Sequence, residues 1–203
     1  MTVLLTDPAL EQRLIEQRQA AGGDRYDEVW EGVYMMTPLP GNEHQELVIE
    51  MAVVLRDVVA GGRGRVWPGV NLSDRAADWQ YNYRAPDVAV FLHDGKAENH
   101  GTHWRGPADF LVEIVSPNDH TREKLPFYSS LGVVELLIVE RNPWRLELYR
   151  HDGTELREVG CSELPRGEAL ASARLPLVFR LIAGEPRPVI EVVHAESGQR
   201  WEV

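Results

Sequence analysis

The chain has 203 residues, 43% of them hydrophobic, so residues 1–203 can bury the core of a single domain. The formal net charge of −11 argues against a broad basic surface for nucleic acid, although a local basic groove is compatible with that total. The single cysteine, Cys161, excludes an intrachain disulfide, and no apolar run reaches the ~20 residues of a membrane span; we therefore expect a soluble, cytoplasmic protein with no membrane partner.

The first third of the chain predicts two helices separated by a hairpin. Residues 6–21 have the spacing of an amphipathic N-terminal helix, and the chain breaks after it at a glycine pair. The segment RYDEVWEGVYMM predicts two short strands around Glu31 and Gly32. A second helix is predicted over 42–60, with Asn42 opening a capping box. The GGRGR run that follows lacks a Lys-Ser/Thr pair, so it predicts a turn that could at most contact a backbone phosphate.

The remaining elements predict a mixed sheet flanked by helices. Apolar or alternating runs predict strands at 65–72, 86–92, 110–116, 133–140, 189–193 and 200–203. RLELYR and ELREVG flank HDGT, which is typical of a hairpin. A short helix is predicted over 121–131, and residues 93–107 are expected to form an exposed, charged loop. The fold class is α/β (α+β), with residues 160–203 as a C-terminal extension.

Two carboxylates interrupt apolar strands. Asp87 stands at the entry to VAVFL, and Glu113 lies in the middle of FLVEIVS with apolar neighbours on both sides. A buried carboxylate needs a cation or hydrogen-bond donors, because desolvation costs several kcal/mol or more. If strand 110–116 lies beside strand 86–92, the two groups could converge and bind a divalent cation.

Carboxylates from adjacent strands are oxygen ligands that suit Mg²⁺ or Mn²⁺, with water at the remaining positions. A bound cation polarises a phosphoryl oxygen and supplies hydroxide near neutral pH. Such a site also needs a fixed positive group to orient the water and offset charge in the transition state. Lys124, shortly after the second strand, is the best candidate for that group.

Several motifs occur in the order found in a known family. RAPDVAV, FLVEIVSPNDHTREKLPFY and GVVELLIVERNPWRLELYR resemble the bacterial Uma-type restriction endonuclease family, a former domain of unknown function placed in the PD-(D/E)XK nuclease superfamily. EGVYMMTPLPGNEH also resembles the family's acidic-Gly segment and the histidine that opens its first core helix. The resemblance covers about residues 26–160.

The resemblance implies a restriction-endonuclease-like core in which Asp87 and Glu113 are the metal-binding acidic residues. The sequence departs from the superfamily pattern at Val115, where a lysine is expected, and the family suggests that Lys124 replaces it from the following helix. Pro126 complicates that helix, because proline beyond the first turn breaks hydrogen bonds. His44 matches the family's histidine and is expected to be an auxiliary catalytic group.

Two functions are compatible with these residues. The first is a Mg²⁺-dependent endonuclease that hydrolyses DNA phosphodiesters with a metal-activated water, with Asp87, Glu113, Lys124 and His44 at the site. The second is a catalytically degenerate nuclease-like fold that acts as a dimeric binding or accessory protein. The apolar excess at 133–149 would suit a twofold interface at a sheet edge, so we expect a homodimer.

Each site residue also has a structural interpretation. Asp87 could be a strand-entry cap facing water, Glu113 a buried salt bridge to Lys124 or Arg122, and Lys124 a surface residue. His44 could face water at a helix N-terminus. The less favoured acidic candidates are Glu31, Glu46 and Glu50.

Two other groups of residues could have a role. His100 and His103 have a metal-ligand spacing, but no further ligands complete a zinc set, and we expect solvated histidines. Aromatic residues could stack on bases, although at strand positions they are more typical of a core or dimer interface; they are Trp67, Trp79, Tyr81, Tyr83 and Trp104.

Overall fold

The structure is a computed structural model that describes residues 7–117 and 120–203. In chain order the elements are α1 (Pro8–Ala20), β1 (Glu28–Trp30), β2 (Val33–Met35), α2 (Asn42–Val58), β3 (Gly64–Pro68), β4 (Leu72–Ser73), β5 (Tyr83–Arg84), β6 (Val88–Leu92), β7 (Glu98–Asn99), β8 (Trp104–Arg105), β9 (Phe110–Ile114), α3 (Leu125–Leu131), β10 (Glu135–Arg141), β11 (Trp144–His151), β12 (Leu156–Glu163), β13 (Leu170–Ala171), β14 (Leu177–Ile182), β15 (Val189–His194) and β16 (Arg200–Glu202). No helix in this part of the chain combines the length and the apolar character needed to cross a bilayer.

The central sheet has six strands in the order β12-β11-β10-β9-β6-β3. β9 and β10 are parallel and are joined through α3, whereas the other neighbouring pairs are antiparallel. A parallel pair needs such a crossover because a tight turn can join only antiparallel strands. The mixed sheet with its helices confirms the predicted α/β (α+β) class.

The alternation of side chains along β9 divides the core into two faces. Phe110, Val112 and Ile114 join the cluster under the apolar face of α2, whereas Leu111 joins the cluster on the α3 side. Glu113 shares the face of Leu111 and is 3% exposed. The predicted burial of this carboxylate is therefore confirmed.

Two further sheets are built on this centre. Short strands form the order β2-β1-β5-β4-β8-β7, which begins with the predicted hairpin. The C-terminal residues form the antiparallel order β13-β14-β15-β16, whose apolar residues complete the core on the α2 side. The predicted strands at 189–193 and 200–203 correspond to β15 and β16. The sequence analysis did not predict β13 and β14.

Several predicted details are wrong. The strand predicted over 65–72 is two elements, β3 and β4, because Gly69 has a φ of 58° and redirects the chain between them. The helix predicted over 42–60 has Gly41 as its N-cap without a side-chain cap bond, so Asn42 opens no capping box. The helix predicted over 121–131 begins as a 3-10 turn, Thr121–Lys124, before α3.

The segment predicted as an exposed loop at 93–107 is partly ordered. It contains β7 and β8, and His103 is only 3% exposed rather than solvated. The His103 ring stacks between Trp79 and His100 at centroid distances of 5.1 and 4.9 Å, and its Nε2 lies 2.9 Å from the carbonyl oxygen of Arg75. These contacts make it a packing residue.

The strands at 133–149 do not form the sheet edge expected for a twofold interface. β10 and β11 lie inside the central sheet, each paired on both sides. The edges of this sheet are β3 and β12 instead. The sequence pattern could not show this, because a buried central strand and an apolar interface strand have the same composition.

Candidate active site

Asp87 lies just before β6 and is held by contacts to both carboxylate oxygens. Oδ1 is 2.9 Å from His44 Nε2, and Oδ2 accepts a 2.7 Å hydrogen bond from the backbone N–H of Ile114. His44, on the first turn of α2, has its Nδ1 3.1 Å from the Ser116 hydroxyl. The side chain of Asp87 is 16% exposed, so it is a fixed carboxylate at the rim of the core rather than a solvated cap.

Glu113 is buried and contacts two side chains that follow it in the chain. Lys124 Nζ lies 3.2 Å from Oε1 and 3.3 Å from Oε2, and the hydroxyl of Tyr128 donates to Oε1. Arg122, the other partner considered for Glu113, binds Glu140 and Glu147 instead. The glutamate is thus anchored by the 3-10 turn and α3.

The strand register brings Asp87 and Glu113 together. β6 and β9 pair with Val88 opposite Val112 and Ala89 opposite Leu111. One further step of the same register places Asp87 opposite Glu113 on one face of the sheet. Side chains at directly opposed positions have Cβ atoms about 4.5–5.5 Å apart.

Lys124 reaches the site because the helix starts late. The 3-10 turn ends at Lys124, and Pro126 occupies the first turn of α3, where its missing N–H costs no hydrogen bond. The lysine side chain is 11% exposed and lies between Glu113 and Glu28. The interpretation of Lys124 as a surface residue is therefore wrong.

Glu28 is a site residue that the sequence did not reveal. It comes from β1, is 4% exposed, and its Oε1 lies 2.9 Å from Lys124 Nζ. Oε1 also accepts from the N–H of Ala85, and Oε2 accepts from Trp30 Nε1. The sequence signal that could have indicated Glu28 was its position just before the acidic-Gly segment. The alternation of the strand alone does not distinguish Glu28 from a solvated hairpin residue.

Replacing Glu28 by Ala should lower the free energy of unfolding by about 3 kcal/mol, because the buried ammonium of Lys124 and the half-buried donors of Ala85 and Trp30 lose their acceptor. Urea denaturation followed by circular dichroism measures this. The control is Glu31→Gln in the neighbouring turn, where the side chain is exposed and the change should stay within about 0.5 kcal/mol. Equal stability of the two variants would show that Glu28 has no structural role.

Burial and charge shift the protonation of the central pair. Burial raises the pKa of Glu113 to about 8; Lys124 opposes this rise, while Asp87 and Glu28 add to it. Burial lowers the pKa of Lys124, but Glu113 and Glu28 outweigh that effect, so the pKa is raised and the ammonium stays charged. Burial likewise raises the pKa of Tyr128, which remains a hydrogen-bond donor.

The raised pKa of Glu113 predicts a pH-dependent stability in the metal-free protein. The folded state holds the Glu113 proton more tightly than the unfolded state, so this contribution is complete below about pH 4.5 and is lost as the pH rises through about 8. Glu113→Gln mimics the protonated form at every pH. In EDTA it should match the wild type near pH 5 in urea unfolding and exceed it at pH 9; a constant difference across that range would contradict the raised pKa.

The remaining candidates lie outside this cluster. Glu31 and Glu46 are exposed, and Glu50 is half-buried on α2. Their side chains make no hydrogen bond or ion pair with the site in the described part of the chain. The acidic residue that the hairpin contributes to this cluster is therefore Glu28 and not Glu31.

The donor set has the chemistry of a two-carboxylate cation site. Within residues 7–117 and 120–203 no cluster of three or more His, Cys, Asp or Glu side chains is arranged to hold a metal ion. Magnesium sites commonly use one or two carboxylates with water as the other ligands. Glu28 and Glu113 form ion pairs with Lys124, and the charge of Asp87 also raises the pKa of the lysine, so three carboxylates share one ammonium group.

The family model described as "Putative restriction endonuclease", Uma2, matches residues 12–183. The chain belongs to the Uma2 family. The match extends on both sides of the resemblance at about 26–160 and includes every residue of the site described above.

A solved structure has the same fold. The chain is similar to a crystal structure titled as a putative nuclease of DUF820 from Anabaena variabilis ATCC 29413, with a TM-score of 0.56 and 18% identity. The similarity covers 72% of this chain and 80% of that chain. No curated protein matches the sequence. The structural likeness supports a nuclease-like fold for this Uma2 member.

Proposed function

We propose that this Uma2 member is a Mg²⁺- or Mn²⁺-dependent endonuclease that hydrolyses DNA phosphodiester bonds. The observation that carries the proposal is the meeting of Asp87 and Glu113 on adjacent strands, with Lys124 bound to Glu113 at 3.2 Å. Three separate parts of the chain thus supply two acids and one fixed cation. This is the set of groups that metal-assisted phosphodiester hydrolysis requires.

Asp87 and Glu113 are the residues that would hold the cation. A divalent cation held there would supply Lewis-acid polarisation of a phosphoryl oxygen and would lower the pKa of a water molecule. His44 and the Ile114 N–H fix the Asp87 carboxylate, so this ligand is oriented before a cation arrives.

Lys124 and Tyr128 act on the other acid. Lys124 carries a positive charge beside Glu113 and can stabilise the negative charge that develops on the phosphoryl oxygens. Tyr128 donates to Glu113 Oε1 and leaves Oε2 facing only the lysine among the hydrogen bonds of the described residues. Glu28 holds Lys124 in place from the other side.

The proposal predicts cleavage of DNA that depends on a divalent cation. Supercoiled plasmid and fluorescein-labelled duplexes should be cut in Mg²⁺ or Mn²⁺ and remain intact in EDTA. Replacing DNA by RNA of the same sequence tests the substrate class. Cleavage that persists in EDTA, or its absence with both cations and both nucleic acids, would contradict the proposal.

A second function is favoured by the completeness of the internal contacts. Asp87 is bonded through both oxygens, and Glu113 is satisfied by Lys124 and Tyr128. A closed network of this kind fits a catalytically degenerate fold that serves as a binding or accessory protein. Calorimetric titration with Mn²⁺ separates the two functions, because a degenerate site releases no binding heat.

The cytoplasmic location and the homodimer stay predictions. The homodimer no longer rests on residues 133–149, since β10 and β11 are interior strands. Light scattering of the purified protein measures its mass, and a monomer mass at micromolar concentration would exclude a stable dimer.

A further inference from the structure

Most cations of this acidic chain form ion pairs with carboxylates, and two of those that do not lie close together at one sheet edge. Arg18, Arg122 and Arg180 are examples of the paired majority. Arg63 and Arg65 are exposed, and neither forms an ion pair with any residue in 7–117 or 120–203. Arg65 is the second residue of the edge strand β3, and Arg63 lies in the turn directly before that strand.

Two acidic residues near this end of the sheet form ion pairs with a different arginine. The backbone carbonyl of Arg63 accepts from the N–H of His93, so the unpaired arginines lie beside the end of β6. Asp94 and Asp109, which flank this region, both bind Arg174 at 2.6 and 2.7 Å. Within residues 7–117 and 120–203, neither Asp94 nor Asp109 forms an ion pair with Arg63 or Arg65.

β3 leads from these arginines toward the candidate active site. Arg65 is paired with Phe91 and Trp67 with Ala89, and the N–H of Gly69 donates to the carbonyl oxygen of Asp87 at 3.1 Å. Alternate residues of a strand share a face, and opposed residues of neighbouring strands do so as well. Arg65 and Trp67 therefore lie on the face of the sheet that carries Asp87 and Glu113.

The spacing along this face is regular. Two residues of a strand span about 7 Å. Gly69 lies opposite Asp87, so Trp67 is one such step along β3 from the level of Asp87, and Arg65 is two steps from it. Trp67 is 40% exposed, and its ring stacks on no other ring of the described residues. An exposed tryptophan thus lies between the exposed arginines and the row that contains Asp87 and Glu113.

We propose that Arg63, Arg65 and Trp67 form a nucleic-acid track that guides one strand along β3 to the site. The arginines contact phosphates, and Trp67 stacks on a base next to the bond that is cut. Cations that follow a backbone, combined with an aromatic platform, are the chemistry that recognises single-stranded nucleic acid. The direction of the track rests on the proposed function, since it assumes that the strand ends at Asp87 and Glu113.

Fluorescence anisotropy of labelled single-stranded DNA in EDTA tests the track without cleavage. Arg63→Ala and Arg65→Ala should each reduce the slope of log K against log salt by about 0.7, whereas Arg65→Lys should retain it. Trp67→Ala should weaken binding by about 5-fold to 100-fold, and Trp67→Phe should recover most of it. Arg166→Ala, at another exposed arginine, is the matched control and should bind like the wild type.

The outcomes separate the track from the cleavage chemistry. Salt-dependent binding that weakens at Arg65 and Trp67 but not at Arg166 supports the track, even if no cation produces cleavage. Wild-type affinity and slope in all three track variants would overturn it, even if the protein cleaves DNA. Absence of any strand binding by the wild type would also overturn it.

Discussion

Asp87→Asn and Glu113→Gln should each reduce divalent-cation-dependent DNA cleavage by about 10³-fold or more, because each change removes one of the two carboxylates proposed to hold the cation. Both substitutions preserve the side-chain shape. Asparagine keeps an acceptor for the Ile114 N–H, and glutamine mimics the protonated Glu113. The folded state should therefore survive, and circular dichroism and thermal melting should resemble those of the wild type.

The matched control is Glu46→Gln, which removes an exposed acidic charge from the same helix as His44. Its cleavage rate should equal that of the wild type. Calorimetry with Mn²⁺ should lose its binding heat in Asp87→Asn and Glu113→Gln but not in Glu46→Gln. Full cleavage by either site variant would remove Asp87 or Glu113 from the catalytic machinery.

Lys124→Met should have the largest effect on stability. The substitution leaves Glu113 and Glu28 buried beside each other without a cation, and breaking a buried pair in this way costs about 3–5 kcal/mol. Chemical denaturation at pH 9, where Glu113 with its pKa of about 8 is mostly ionised in the wild type, should show this loss, and acidification should reduce it because a protonated Glu113 needs no counter-charge. Cleavage should fall by about 10²- to 10³-fold, since the positive group beside the phosphate is lost.

A triple variant distinguishes lost charge from lost packing at this position. Lys124→Met combined with Glu113→Gln and Glu28→Gln removes every charge of the trio while keeping its volume. It should recover most of the stability lost in Lys124→Met, yet remain inactive. A triple variant as unstable as Lys124→Met would mean that packing of the lysine stem, rather than its charge, holds this region together.

The sequence predicts the central part of the site because a charged residue inside an apolar strand pattern can be recognised from the sequence. Glu113 interrupts an apolar strand, and such a residue requires a compensating partner wherever the strand lies. Asp87 marks the start of another apolar strand, and their adjacency follows once β6 and β9 pair. The sequence predicts Lys124 because this residue follows Glu113 closely in the chain, and the segment that leads into α3 stays close to β9.

Other features depend on pairings that no local pattern shows. Glu28 alternates like a surface residue of a hairpin, and its burial arises only when β5 and the 3-10 turn close over it. His103 is polar and lies in a charged segment, yet stacking on Trp79 buries it. The same limit applies to residues 133–149. Their apolar strand pattern did not reveal that β10 and β11 each have a neighbouring strand on both sides.

The most direct test of the two-carboxylate site is a crystal structure of the wild type soaked in Mn²⁺, with anomalous scattering recorded to locate the ion. We expect one strong peak within coordinating distance of both Asp87 and Glu113, with no equivalent peak in Glu113→Gln crystals treated identically. Lys124 should remain beside Glu113. An anomalous map with no peak between these two acids, in crystals soaked at a saturating Mn²⁺ concentration, would contradict the account.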